Sequence, residues 1–254
     1  MSKVISIRLE WKYTPPDYLE EPIFIPEKGI ELSISHGLAI ANIIPSVFED
    51  NPNINNELTR VIGSRLHAVQ VLSHKDFSLG RPSRSDMREN GTKNVFLEVE
   101  PIVMKMSVGK VDLVVRDKNG KIVSDTKQER LDKQKWFAET VEKYRPSDDT
   151  LDQMLKSYQM AVKDPNNELV HLYEVRDALL SKFGKKKNAI NRLGITQAEW
   201  DTIGDLANNP PLKQGRHRGK SAGYLRDAEL SELEVARKAT ANLIEKYLVY
   251  LEGV

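Results

Sequence analysis

The period at which apolar residues recur changes partway along this chain, and that change limits the folds open to it. At the start Ile5, Ile7, Leu9 and Trp11 alternate with Ser6, Arg8, Glu10 and Lys12, the period of two that gives a strand one dry and one wet face. A Pro-rich stretch from Pro15 to Pro26 encloses Ile23-Phe24-Ile25, and after Gly29 a second β-like run covers Ile30 to Ile34. Over 55–73 the period lengthens: Leu58, Val61, Ile62, Val69 and Leu72 share a narrow arc at helical spacing, which predicts a helix packed on the sheet. Arg65 falls in that arc and is expected to snorkel or to pair with a buried carboxylate.

Residues 76–93 contain Gly, Pro, Ser and Asn without periodicity and are expected to form a long solvated loop, basic through Arg81, Arg84 and Arg88. Alternation resumes at Val95, Leu97 and Val99, again at Ile102, Met104, Met106 and Val108, and over Val111 to Val115. Asn119-Gly120 between two β-rich arms predicts a hairpin, because those residues tolerate the positive φ of a type I′ turn. An antiparallel meander is thus expected to close the N-terminal part.

Beyond Lys127 the pattern is helical. "RPSDDT" at 145–150 interrupts it and sets the expected division, a β-rich domain over 1–147 and a helical bundle over 148–254. Within the bundle Leu151, Met154, Leu155, Tyr158 and Val162 form a stripe behind a cap at Asp148, Asp149 or Thr150. A second helix runs through "ELVHLYEVRDALLSKFG" with Gly184 as its C-cap. "TQAEWDTIGDLANN" and the long "AELSELEVARKATANLIEKYLVYLEG" complete four to five helices. The fold class read from these periods is α+β: an N-terminal antiparallel sheet with a packing helix, then an all-helical bundle.

Composition narrows the chemistry. With 38 basic and 37 acidic residues the net charge is +1, so a polyanion partner requires a local cluster. The absence of cysteine removes disulfides, thiol nucleophiles and thiolate metal sites. The five histidines, at 36, 67, 74, 171 and 217, lack the close pairing of a His-based zinc centre, so neither metal nor cofactor is expected. The N-terminus alternates where a signal peptide would be continuously apolar, and no run approaches the roughly 20 apolar residues that span a bilayer. A cytoplasmic protein without membrane association is the expectation.

The local cluster is "LKQGRHRGKSAG" at 212–223. Three readings apply to it. As a P-loop, "GRHRGKS" is one residue short and follows Asn208-Asn209-Pro210-Pro211 where a strand should precede it. As a polyanion site, Lys213, Arg216, Arg218, Lys220 and Arg226 supply charge with no Asp or Glu among residues 212–226, and Tyr224 offers a face for an unpaired base. Lys185, Lys186 and Lys187 in the connector after the second helix could extend that field. As a catalytic site, Arg216 would stabilise phosphate charge and His217 would move a proton. Each competes with a plain solvated connector. Arg176 lies within the apolar arc of its helix and is expected either to pair with an acidic residue or to line a cleft beside Arg216 and His217.

Four segments, "LVHLYEVRDALLSKFG", "LGITQAEWDTIGDLANN", the "QGRHRG" loop and the terminal "LIEKYLVYLEG", together resemble a HEPN-type helical domain over roughly residues 150 to 254. That resemblance implies an all-helical bundle, frequently dimeric, in prokaryotic stress and antiphage defence systems, with many members acting as metal-independent ribonucleases. Active members carry Arg, often a polar residue next, and His four to six positions after the Arg. Here Arg216 is followed by His217, but those later positions hold Lys220, Ser221 and Ala222. Either His217 takes the missing role or the domain binds without cleaving. The expected partner is accordingly RNA or a nucleotide, with a homo-oligomer or partner protein. The alternative is a non-catalytic scaffold or sensor, in which Tyr158, Trp200, Tyr247 and Tyr250 are contact residues. A small-molecule enzyme in the sheet would have His36 and Asp112, Asp117 and Asp125 to work with.

Overall fold

The computed structural model describes residues 2–91, 93–96, 112–116, 119, 121–221 and 223–253. They divide into two compact units, 1–69 with 77–131 and 70–76 with 132–254. The first is built on an antiparallel sheet and the second is helical, so the chain is an α+β protein.

Strand β1 (Val4–Thr14) is the backbone of the first unit. One edge carries β4 (Leu38–Ile43), β3 (Ile30–Ser35) and β2 (Ile23–Glu27); the other carries β5 (Ser78–Leu79) and β6 (Ser83–Arg88), followed by β7 (Lys93–Phe96). Alternation holds through Ile7, Leu9, Trp11 and Tyr13, all buried. Ile5, expected on the same face, is exposed, because the pairing of β1 with β6 shifts register between Val4 and Ser6. Large residues face small ones across the ladder: Trp11 is paired with Ala39 and Leu9 with Ala41. Helix α2 (Ile54–Ser73) covers this face with Ile54, Leu58, Ile62, Leu66 and Val69, and the short α1 (Pro45–Asp50) precedes it. Trp11 donates its indole N–H to Thr59 Oγ1 at 2.9 Å, which satisfies the polar atom of a fully buried ring.

Two sheet elements escape the periodicity argument. β3 and β4 are joined through His36 (φ 49°) and Gly37 (φ 81°), two consecutive left-handed residues between the paired Ser35 and Leu38. His36, a candidate for chemistry in the sheet, is thus a turn residue. Residues 76–93 are not the expected loop: β5 and β6 lie there, and β6 pairs with β1 from Val4↔Arg88 to Glu10↔Ser83. Strand β6 reads Ser-Arg-Ser-Asp-Met-Arg and so gives no apolar alternation, because backbone hydrogen bonds to β1 hold it. Its polar side chains pair with each other: Arg84 Nε meets Asp86 Oδ1 at 2.7 Å, two residues along the same face, and Arg84 covers the Phe48 ring at 4.4 Å.

The two arms expected of the hairpin pair antiparallel as β8 (Val114–Arg116) and β9 (Ile122–Asp125), and among the described residues they form a separate two-stranded sheet; Gly120 of the expected turn lies outside the described residues. The alternating residues over 97–111 lie outside the described residues.

In the second unit α3 (Thr126–Tyr144) belongs to the core from Asp132 onward, and α4 (Asp149–Lys163), α5 (Glu168–Phe183), α6 (Lys186–Leu193), α7 (Gln197–Asn208) and α8 (Leu230–Glu252) follow. Asp148 caps α4 by accepting from Leu151 N–H at 2.7 Å and also accepts from Tyr247 on α8 and Lys182 on α5. Burial opposes charge at Asp148, but these donors hold its carboxyl below the usual range. Gly184 (φ 73°) ends α5 and Thr196 with Glu199 forms a capping box for α7. Lys186 and Lys187, expected in a connector, open α6, and Lys186 is held by both oxygens of Asp201. Tyr158, Trp200 and Tyr247 are fully buried and therefore serve as core, not as contact residues.

A buried polar group sits in this unit. Glu168, 1% exposed at the start of α5, accepts from Arg237 Nε at 2.6 Å and Nη2 at 2.8 Å, while His74 Nε2 lies 3.3 Å from its Oε1. His74 follows α2 in the left-handed conformation, φ 52°, and its Nδ1 is 3.3 Å from Tyr158 Oη.

Candidate functional site

The segment between α7 and α8 is tied down at its base. Leu212 and Arg226 form a parallel bridge, with Arg226 N–H donating to Pro211 O at 3.0 Å and Lys213 N–H to Arg226 O at 2.9 Å. Arg216 N–H donates to Ala207 O at 2.8 Å. Gly215 suits that approach, since a Cβ there would lie a tight 3.0 Å from the same carbonyl oxygen.

The cations of the loop separate into three groups. Lys213 pairs with Asp227 at 2.9 Å, and Arg226 grips Glu232 through both terminal nitrogens at 2.7 and 2.6 Å. Both acids lie beyond the acid-free stretch and neutralise these two cations in three dimensions. Arg226 holds the Glu232 carboxyl down at about 2. Arg218 is structural as well: Nε donates to Gly215 O at 2.9 Å, and Nη2 reaches Asn166 O and Asn167 Oδ1 in the turn ahead of α5. By contrast His217, Lys220 and Tyr224 have no side-chain partner among the described residues, and Tyr224 is 85% exposed. Lys220 sits in a short 3-10 turn, Arg218–Ser221. Ala222 lies outside the described residues.

The third group is Arg216 with Arg176. The Arg216 guanidinium lies 3.8 Å from the centre of the Tyr173 ring, and that of Arg176 lies 5.1 Å from the same ring and 5.2 Å from Trp200. The structure therefore brings together two arginines that are forty residues apart in sequence. The acidic partner expected for Arg176 is not found: among the described residues no carboxylate lies within ion-pair distance, and its buried Nε has no acceptor. Aromatic faces and a glycine replace that partner. A Cβ on Gly204 would lie 2.7 Å from Arg176 Nη1, so the guanidinium rests against the bare backbone of α7. Asp177 faces Arg216 from α5 at 3.9 Å, too far for a hydrogen bond. Burial pushes the Asp177 carboxyl up, against the pull of Arg216 and Arg176.

Sequence reasoning located Arg176 and Arg216 but not the residues that hold them. The available signal was the spacing of Tyr173 and Arg176 at i,i+3 and of Trp200 and Gly204 at i,i+4, which gives each pair one helix face. A glycine inside a helix costs about 1 kcal/mol relative to alanine and asks for a packing reason.

No family model, curated protein or solved structure matches the chain. The fold defines an α+β protein, and the site is a pair of guanidiniums stacked on aromatic rings. Among the described residues no helix is long and apolar enough to cross a membrane.

Proposed function

We propose that the chain is a cytoplasmic RNA- or nucleotide-directed protein of a prokaryotic stress or antiphage defence system, whose helical unit acts as a HEPN-like phosphate-binding domain. The observation that carries this reading is Arg176, a guanidinium with no carboxylate within ion-pair distance and no hydrogen-bond acceptor among the described residues, which shares the Tyr173 ring with Arg216. A half-buried cation without an acceptor is costly unless a ligand supplies one, and two guanidiniums at one ring suit phosphate oxygens. Tyr224, Lys220 and His217 offer a stacking face, a further charge and a proton carrier on the same loop. Lys213, Arg218 and Arg226 shape the loop, because their charges or donors are already engaged.

In a cleaving version Arg216 stabilises charge on the phosphate and His217 transfers the proton, with a second copy of the chain supplying the other acid–base group. In the non-catalytic version the same residues hold RNA intact.

Fluorescence anisotropy with a labelled single-stranded RNA, titrated over a range of salt concentrations, tests the reading. Affinity is expected to fall steeply as salt rises, since phosphate neutralisation releases counterions. Arg176→Ala and Arg216→Ala should each weaken binding about 10- to 100-fold, the loss of charge-assisted hydrogen bonds. Absence of salt-dependent binding by the wild type overturns the proposal. Incubation of the same RNA with EDTA separates the two versions: cleavage that disappears in His217→Ala supports the first, and intact RNA the second.

A further inference from the structure

Asp177 occupies an unusual place in the arginine pair. It is close enough to Arg216 to offset its charge, yet at 3.9 Å it makes no hydrogen bond, and its side chain is 45% exposed. Of the other nearby acids, Asp201 on α7 is held by Lys186, and Glu174, one turn before Asp177 on α5, faces His171 at 3.2 Å and adds its negative charge to that of Asp177. Among the described residues Asp177 is the carboxylate that lies within ion-pair distance of the arginine pair. Of the two guanidiniums Arg216 is thus partly offset and Arg176 is not, and Arg216 has supports besides Asp177, since its guanidinium rests on Tyr173 and its backbone N–H is bound to Ala207 O.

We propose that Asp177 is a specificity-determining residue that matches the site to the singly charged phosphodiester inside an RNA strand and disfavours the doubly charged terminal phosphate. This inference rests on the phosphate-binding reading above and deepens it. A phosphodiester meets the arginine pair with one negative charge. A terminal phosphate brings a second negative charge against the Asp177 carboxylate, in a setting where burial already penalises that carboxylate.

The experiment compares two probes, one short single-stranded RNA with a 5′-hydroxyl and the same RNA with a 5′-phosphate, on the wild type, Asp177→Asn and Asp177→Glu. The wild type should gain less than about twofold from the 5′-phosphate. Asp177→Asn, which keeps the shape and removes the charge, should bind the hydroxyl probe a few-fold tighter and gain about fivefold more from the 5′-phosphate, the scale of a partly exposed ion pair. Asp177→Glu should keep the wild-type ratio. A residue that merely positions Arg216 would give the opposite sign, with Asp177→Asn weakening both probes equally. If the wild type binds neither probe, the phosphate-binding reading and this inference fail together. If it binds but the phosphate ratio is the same in wild type and Asp177→Asn, this inference alone is overturned.

Discussion

Replacing Glu168 with alanine tests the energetics of the helical unit most directly. The carboxylate is 1% exposed and takes two charge-assisted hydrogen bonds from Arg237, at 2.6 and 2.8 Å, with His74 at 3.3 Å. Removing one partner of a buried pair costs about 3–5 kcal/mol, because the remaining charge loses its compensation. The Arg237 side chain is 26% exposed and can turn toward water, which puts Glu168→Ala near the lower end, about 3 kcal/mol. Arg237→Ala should cost more, about 4–5 kcal/mol, since Glu168 has no such route to solvent. The assay is urea denaturation followed by circular dichroism at 222 nm, where the helices dominate, supported by a thermal melt in which Glu168→Ala lowers the midpoint by about 10 °C. The double variant completes a cycle, and its cost should fall short of the sum by about 2 kcal/mol or more. A cost below about 0.5 kcal/mol for Glu168→Ala, or additivity within that margin, would refute the reasoning.

Three further outcomes follow from the geometry. Burial, and then the neighbouring Arg237, pushes His74 down to about 4. The unfolded chain binds that proton near 6.5 while the folded chain does not, so stability is intact above about pH 6.5 and falls by at most about 3 kcal/mol as the pH drops toward 4. His74→Asn, which tolerates the left-handed backbone, should remove this component of the decline, and an unchanged pH profile in urea titrations would contradict it. Gly204→Ala should leave the helical spectrum unchanged yet displace Arg176, whose Nη1 would be 2.7 Å from the new Cβ; RNA binding should weaken as in Arg176→Ala, and wild-type affinity would contradict the assigned packing. Trp11→Ala should destabilise the sheet unit by about 3–5 kcal/mol, read from near-ultraviolet circular dichroism, because it removes a fully buried indole and its hydrogen bond to Thr59.

Much of the fold is written locally. The buried set Ile7, Leu9, Trp11 on β1, the covering stripe of α2, the Asp148 cap and the Gly184 stop all follow from spacing and from the conformational preferences of single residues. The candidate site is legible only in part. Arg176 is conspicuous because it interrupts an apolar arc, and Arg216 because it lies in a basic loop, but no local rule says that both will meet at Tyr173. The acid-free stretch 212–226 also misleads, since Asp227 and Glu232 return to neutralise Lys213 and Arg226.

The sequence by itself determined the succession of a sheet region and a helical region, the α+β class and several of the caps, because hydrophobic period, proline, glycine and capping side chains act within a few residues of chain. Only the tertiary structure decided that a strand with no apolar alternation, β6, would pair with β1, since backbone hydrogen bonds carry no side-chain signature. It also decided which cations are already matched and which are not. Lys213 and Arg226 find carboxylates, whereas Arg176 finds two rings and a glycine, and that difference depends on distances between segments far apart in the chain.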